Sequence, residues 1–219
     1  MILSSMTTDE MFRELMIDKD NCIRWREHLR RRVAEISRRG RKFPRYLFYD
    51  YLSPRKNQWL VQASIVSRHP YNGILFSSCV VRHAEDGWYM HQAVYNSVDT
   101  IQMIMTPHCI RRYAERTGRE DVKMPELMKV WMMCNHDICG ENDESLSGRR
   151  SRGGMYEQRH YCSNEGILMG DWHEGKNGRT FMAKTFITYD MAKDRQVEVF
   201  GQSRKRLLGI ENWRELLTI

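Results

Sequence analysis

The sequence has 219 residues, of which 41% are hydrophobic and 29% are charged. This composition is typical of one large globular domain or two small ones, and it excludes a collagen-like or low-complexity polymer. Lys and Arg number 35 against 28 Asp and Glu, so the formal net charge is +7 and polyanions are favoured as partners.

No run approaches the roughly 18 apolar residues that a membrane helix needs, and the start of the chain lacks the features of a signal peptide. We therefore expect a cytoplasmic protein that makes no membrane contact.

The six cysteines are scattered through a chain that is large enough to be stable without disulfides, so we expect reduced thiols. Cys134, Cys139, His160 and Cys162 are of the ligand types that Zn²⁺ prefers, but their spacing is not the usual Cys-x2-Cys pair. Buried or incidental thiols are the favoured interpretation, and a zinc site stays open as the alternative. No phosphate-binding loop and no dinucleotide fingerprint is present, so we expect no cofactor.

The first 40 residues are expected to be helical, with a break near residues 18–21. Thr8, Asp9 and Glu10 offer a helix start, and apolar residues recur at helical spacing up to Gly40. Ten Lys or Arg and two Glu lie between Arg24 and Arg45, which is a surplus of +8 in one segment. These cations, with an aromatic residue among them, form a candidate nucleic-acid site that tracks a phosphate backbone and stacks a base. The candidate residues are Arg24, Trp25, Arg30, Arg31, Arg38, Arg39, Arg41, Lys42 and Arg45. The alternative is the solvated face of an ordinary helix that is followed by a basic linker.

The chain then changes to short apolar runs that are separated by turns. Residues 57–67, 72–81 and 88–95 are rich in Val, Ile, Tyr and Trp, which predicts an antiparallel meander, and residues 100–105 predict a further strand. Thr106 followed by Pro107 begins a helix that runs to about Thr117. A second helix begins at residues 124–126.

The last third of the chain begins with residues 140–154, which are polar and rich in Gly and Ser and are expected to form a mobile loop. Strands are predicted at 156–162, 166–172, 179–188 and 196–200, before a final amphipathic helix. The predicted fold is α+β, with antiparallel sheet, N-terminal helices, a central helix pair and a C-terminal helix. We divide the chain into a helix and meander at 1–99 and an α+β region at 100–219, or one continuous domain.

The second predicted helix carries the densest polar cluster in the sequence. His108, Arg112 and Arg116 are spaced by four residues and therefore share one face of the helix. An imidazole moves protons near neutral pH and a guanidinium stabilises charge on a phosphoryl group, so this face suits phosphate chemistry. The alternative is a solvated helix face with ordinary Arg–Glu115 pairs.

The region from about 100 to 190 resembles the RelE-like ribonuclease-toxin domains. The resemblance rests on a His-x3-Arg-x3-Arg helix, a second short helix, a polar loop and strands that contain GILMG at 166–170 and TFMAKTFITY at 180–189. It implies an α+β fold shared with toxins that cleave RNA without a metal. His108, Arg112 and Arg116 match the helix motif, and Lys184 and Tyr189 are candidates by their position on the late strand. Family members are usually near 100 residues long, so the first 100 residues have no counterpart.

These residues would form a metal-independent RNA-cleaving site. His108 is the expected general base for a ribose 2′-hydroxyl, Arg112 or Arg116 stabilises the charge on phosphorus, and Lys184 or Tyr189 protonates the leaving oxygen. Two alternatives stay open, namely a non-catalytic nucleic-acid-binding protein and a protein-interaction module. The expected partner is RNA rather than DNA, with a protein partner as a further possibility.

Overall fold

The computed structural model describes residues 1–69, 72–95, 100–135, 138–141 and 158–201. Its α-helices are α1 (Thr8–Arg39), α2 (Pro107–Arg116) and α3 (Met124–Cys134), and residues 194–201 are also helical. The described strands are β1 (Arg45–Leu52), β2 (Gln58–Ile65), β3 (Ile74–Ala84), β4 (Gly87–Tyr95), β5 (Thr100–Met105), β6 (Cys139–Glu141), β7 (Gln158–Cys162), β8 (Gly166–Glu174) and β9 (Arg179–Thr188). The predicted α+β class is confirmed.

The described strands form one sheet in the order β1-β2-β3-β4-β5-β9-β8-β7-β6. The predicted meander is confirmed, because β2, β3 and β4 each pair antiparallel with the next strand along the chain. The expectation of an antiparallel sheet is wrong at one position, since β5 pairs with β9 in parallel. A parallel pair needs a long connection, and α2, α3 and three strands lie between β5 and β9.

Helix α1 is continuous, so the predicted break near residues 18–21 is wrong. The helix begins after Thr7, whose hydroxyl accepts a hydrogen bond from the backbone N–H of Glu10 at 3.3 Å. Asp18 is fully buried and accepts hydrogen bonds from Ser53 Oγ at 2.6 Å and Trp59 Nε1 at 2.9 Å. The polar residues at 18–21 therefore include a tertiary contact, which the sequence alone does not distinguish from a turn.

Two further elements differ from the sequence-based assignment. Strand β1 lies at one edge of the sheet, where the sequence analysis assigns no element. Residues 196–200 are helical rather than extended, with Phe200 buried and Val197 exposed. The predicted C-terminal helix beyond residue 201 and most of the predicted loop at 140–154 lie outside the described residues.

The sheet is packed between helices on both faces. Helix α1 covers one face over a core that contains Leu15, Cys22, Trp59 and Val61. Helices α2 and α3 cover the other face, whose core includes the T-shaped ring contacts of Tyr113, Trp131 and Phe186 at centroid distances of 4.9 to 5.8 Å. The outer surface of α1 and the outer surface of α2, which carry the two candidate sites, therefore lie on opposite sides of the sheet.

Candidate nucleic-acid interface

Helix α2 carries the His/Arg face that the spacing predicts. Thr106 begins the helix, because its hydroxyl accepts a hydrogen bond from the N–H of Cys109 at 3.3 Å and donates one to the backbone oxygen of Ala183 at 3.0 Å. The buried side of the helix packs into the core, and His108 lies on the exposed side. His108 makes no hydrogen bond or ion pair with any residue that the structure describes.

Both arginines of this face have partners. Arg112 Nη1 lies 2.7 Å from Glu115 Oε2, which is the ordinary surface pair that the sequence analysis left as an alternative. Arg116 Nη1 donates a hydrogen bond to the backbone oxygen of Phe186 and so fixes the end of α2 to β9. His108 and Arg116 are eight residues apart, which is about 12 Å along the helix axis.

Lys184 and Tyr189 do not join this face. Lys184 forms an ion pair with Asp171, which precedes Trp172 in β8. Trp172 packs into the core beneath α2 and α3, and side chains alternate along a strand. Asp171 and Lys184 therefore lie on the opposite face of the sheet, which α1 covers. Tyr189 donates a hydrogen bond to the backbone oxygen of Ser163 at 2.6 Å.

The five proposed catalytic residues are therefore not brought together around a single point. His108 lies on α2, on the other face of the sheet from Lys184. The side chains of Arg116 and Tyr189 are held by backbone oxygens, Arg116 by that of Phe186 in β9 and Tyr189 by that of Ser163 before β8. Acid–base catalysis needs its groups within hydrogen-bond reach of one reacting phosphate. RNA cleavage by this set stays a prediction from the sequence.

In the basic segment at 24–45, the aromatic candidate and two of the cations have internal contacts. Trp25 is half-buried, and its ring stacks on Tyr51 at a centroid distance of 4.7 Å, in the packing between α1 and β1. Arg30 pairs with Glu27 at 3.2 Å and lies over the ring of Phe76. Arg24 is exposed and donates a hydrogen bond to Asn21 at 2.7 Å.

The remaining candidates are more open. Arg45 is half-buried at the start of β1, whereas the other five are exposed. These five are Arg31, Arg38, Arg39, Arg41 and Lys42.

We define the basic corner as Arg38, Arg39, Arg41, Lys42 and Arg68, all of which are exposed. Helix α1 ends here, with the N–H of Gly40 donating a hydrogen bond to the backbone oxygen of Ser37 at 3.0 Å. Ser37 Oγ donates to the backbone oxygen of Ser67 at 2.8 Å, and Arg68 Nε donates to the oxygen of Gly40 at 3.0 Å. These bonds hold the turn after β2 beside the end of α1. Arg68, which is distant in the sequence, therefore lies beside the cations at 38–42.

No described carboxylate forms an ion pair with the basic corner, and Glu35, one helical turn before Arg38 and Arg39, is the nearest acidic residue in the sequence. The sequence has no Asp or Glu at 36–49 or at 51–84, and none of the five cations forms an ion pair with a described residue. The C-terminus of a helix carries a partial charge of about −0.5, which offsets a fraction of five positive charges. The corner is therefore a site of concentrated positive potential.

A polar network that was not predicted joins α2, α3 and the turn before β8. Tyr113 donates a hydrogen bond to Glu165 at 2.6 Å, and Arg119 and Asn135 each donate to the same carboxylate at 2.7 Å. Burial opposes ionisation of Glu165, but these three hydrogen bonds outweigh it and lower the pKa of the carboxyl group. Burial, reinforced by that carboxylate, raises the pKa of Tyr113. No local spacing links residues 113 and 165, so the sequence gives no sign of this network.

Among the described residues, no three His, Cys, Asp or Glu side chains gather closely enough to hold a metal ion. Cys162 is fully buried in an apolar cluster with Ile167 and Ile187, and burial lowers the pKa of His160. The side chain of Cys139 lies outside the described part. The alternative of a zinc site at these residues stays a prediction.

Comparison with known proteins finds no family model that matches the chain, and no curated protein or solved structure that is significantly similar to it. None of the helices in the described ranges combines the length and the apolar character that crossing a bilayer requires. Fold and site together define an α+β protein with helices on both faces of a mixed sheet and a concentration of exposed cations at one corner. The RelE-like resemblance stays a prediction.

Proposed function

We propose that this protein binds the phosphate backbone of nucleic acid, with RNA as the preferred ligand, through the basic corner and the exposed arginines of α1. The observation that carries the proposal is the group of five exposed cations at the corner with no carboxylate partner among the described residues. The preference for RNA follows from the resemblance of the α2 region, and the proposal includes a cytoplasmic location, where RNA is abundant.

Electrostatic attraction sets the expected mode of binding. Bringing five like charges together costs free energy, and a polyanion removes this cost while it releases its own condensed counterions. Arg24 and Arg31 extend the positive surface from the corner along α1. The 15 residue steps from Arg24 to Arg39 span about 22 Å, which matches roughly six phosphates of one strand in a duplex.

The proposal does not require catalysis. His108 lies on α2, across the sheet from α1, so binding and the predicted cleavage chemistry are assigned to separate surfaces. An acidic protein would be attracted to the same corner by the same charges, and it serves as a competitor in the test.

The test compares RNA binding by wild type and by two variants of equal net charge. The corner variant carries Arg38→Gln, Arg39→Gln, Arg41→Gln and Lys42→Gln. The control variant carries four Lys→Gln changes at exposed lysines elsewhere, namely Lys56, Lys123, Lys176 and Lys193. Binding is measured as the fluorescence anisotropy of a labelled 20-nucleotide RNA, and far-UV circular dichroism checks the fold.

We expect the corner variant to bind RNA at least about tenfold more weakly than wild type, and the control variant to bind within about threefold of it. Equal losses in the two variants would contradict a localised site. Undetectable binding by wild type at low salt would overturn the proposal, as would stronger binding to a polyglutamate peptide of equal charge than to the RNA.

A further inference from the structure

The sheet divides between β3 and β4. The two strands pair from Ala84↔Gly87 to Val80↔His91, and the register has no pair beyond that point. Residues 74–79 of β3 pair with β2, while residues 92–95 of β4 pair with β5. The facing edges of the two strands therefore separate.

A cavity of about 280 Å³ lies where the two strands separate. Helix α1 contributes Lys19, Ile23 and Arg26 to its lining, which follow one another at the spacing of a single helix face. Phe76, Ser77 and Ser78 line it from β3, and Gln92, Ala93 and Val94 line it from β4. We call this cavity the β3–β4 cleft.

The charged side chains that line the cleft are both cationic. Lys19 and Arg26 contribute positive charge, and no carboxylate belongs to the described lining. Asp18 is near in the sequence, but Ser53, Asn57 and Trp59 all donate hydrogen bonds to Oδ2 of its carboxylate. The carboxylate of Asp18 is therefore engaged by these donors, and it accepts no hydrogen bond from Arg26 among the described contacts.

Arg26 has donors that its described neighbours do not satisfy. Nη1 donates to Ser78 Oγ at 3.4 Å, which is long for a hydrogen bond, and buried Nε has no partner among the described residues. The buried hydroxyl of Ser77 also has no described partner. Buried polar groups without partners cost free energy, and an acceptor that enters the cleft and draws the guanidinium toward it relieves part of that cost.

We propose that the β3–β4 cleft binds a small organic anion, with its phosphate or carboxylate on Arg26 and Ser78 and a compact apolar body against Ile23, Ala93 and Val94. The guanidinium suits the anionic head, because its donors match the geometry of phosphate and carboxylate oxygens. The three apolar residues suit a body that carries no further charge.

The volume limits the size of this ligand. Small-molecule pockets are usually about 300 to 1,000 Å³, so this cleft is at the lower limit and fits about one ring beside the anionic head. The site goes beyond the proposed nucleic-acid function, since it uses a different flank of α1 from the exposed cations of the basic corner.

Phenyl phosphate is the probe that tests the proposal, with the full chain titrated and followed by calorimetry and by backbone amide NMR. We expect saturable binding at one site, with the largest shifts at the amides of Ser77, Ser78 and residues 92–94. Benzyl alcohol, which has the ring without the charge, is expected not to saturate at the same concentrations. Inorganic phosphate, which has the charge without the ring, is expected to bind more weakly than phenyl phosphate.

Two variants identify the residue that holds the anion. Arg26→Met keeps the apolar stem and is expected to weaken phenyl phosphate binding at least about tenfold. Arg13→Met, an exposed control on the same helix outside the basic segment, is expected to leave it within about twofold. Ser78→Ala gives a milder test that does not depend on the folding of the Arg26 variant, with an expected loss of about threefold.

Three results would overturn the inference. They are the absence of saturation with wild type, amide shifts at the basic corner instead of the cleft, and equal losses in Arg26→Met and Arg13→Met. The corner variant described above is expected to bind phenyl phosphate as wild type does, so failure of this site and failure of nucleic-acid binding are distinguished.

Discussion

Nε of Arg68 donates a hydrogen bond to the backbone oxygen of Gly40 at 3.0 Å, and this bond joins the turn after β2 to the residue that ends α1. A second bond joins the same two parts of the chain, because Oγ of Ser37 in α1 donates to the backbone oxygen of Ser67 at 2.8 Å. The basic corner is therefore built from two parts of the chain that are fixed to each other, and its charges are held together by structure as well as by sequence.

Arg68→Gln is the variant that tests this connection. We expect it to weaken RNA binding about threefold, because it removes one phosphate contact and loosens the turn beside α1. The same substitution at Lys56, which is exposed in another turn, is expected to leave RNA affinity unchanged. Fluorescence anisotropy measures both, and equal affinities for the two variants would separate Arg68 from the binding surface.

The buried carboxylate of Asp18 is expected to be necessary for stability. Asp18→Asn keeps one oxygen for Ser53, Asn57 and Trp59 but removes its negative charge. The new NH2 group faces Nδ2 of Asn21, which donates to the other carboxylate oxygen, so we expect a loss of about 1 to 3 kcal/mol in the free energy of unfolding. Asp20→Asn, at an exposed position of the same helix, is expected to change it by less than about 0.5 kcal/mol. Urea denaturation measures both variants, and similar values for the two would show that the Asp18 network contributes little.

A buried histidine is expected to make stability depend on pH. His91 is fully buried, Gln102 donates to its Nδ1 at 3.1 Å, and burial, with a smaller contribution from Arg82, lowers the pKa of His91 from 6.5 to about 3. Between these values the unfolded chain binds a proton that the folded chain does not. The contribution to stability is therefore complete above pH 6.5 and falls as the pH drops, by up to about 1.4 kcal/mol per pH unit.

Urea denaturation between pH 7 and 5.5 measures this slope, because ordinary carboxyl groups are almost fully ionised in that range. Burial also lowers the pKa values of His160 and His173, so His91→Gln is expected to reduce the slope without removing it. His108→Gln, at an exposed position, is the control and is expected to keep the wild-type slope. An unchanged slope in His91→Gln would show that this imidazole does not stay neutral in the folded state.

RNA cleavage can be tested residue by residue on total RNA in excess chelator. The sequence-based hypothesis predicts cleavage by wild type and none by His108→Ala. Because Lys184 pairs with Asp171 on the other face of the sheet from α2, we expect Lys184→Gln to cleave within about twofold of the wild-type rate. A loss in Lys184→Gln as large as that in His108→Ala would mean that the two residues meet in a conformation different from this one.

Residues with local periodicity were predicted well from the sequence. The strands β2 to β5 and the helices α2 and α3 follow from apolar spacing, turn residues and the pairs Thr106-Pro107 and Met124-Pro125. The parallel pairing of β5 with β9 was not predictable in this way, because it depends on contacts between residues almost 80 positions apart. The polar residues near Asp18 suggested a break, since their buried partners at residues 53–59 are specified only by the tertiary fold.

The candidate sites divide in the same way. The shared face of His108, Arg112 and Arg116 followed from spacing, and so did the density of cations at 24–45. Spacing does not reveal partners, so the bond from Arg116 to Phe186 and the stacking of Trp25 on Tyr51 were not predicted. Arg68 carried no signal in the sequence, because a single arginine in a turn joins the corner only through tertiary hydrogen bonds of that turn to Ser37 and Gly40.

The salt dependence of RNA affinity tests the central claim most directly. The slope of log affinity against log salt concentration counts the phosphates that are neutralised, at about 0.7 for each contact with a single strand. We predict a steep slope for wild type and for the control variant with four Lys→Gln changes, and a slope about 3 units shallower for the corner variant. Equal slopes for the corner and control variants, or an affinity of wild type that does not fall with added salt, would contradict the account.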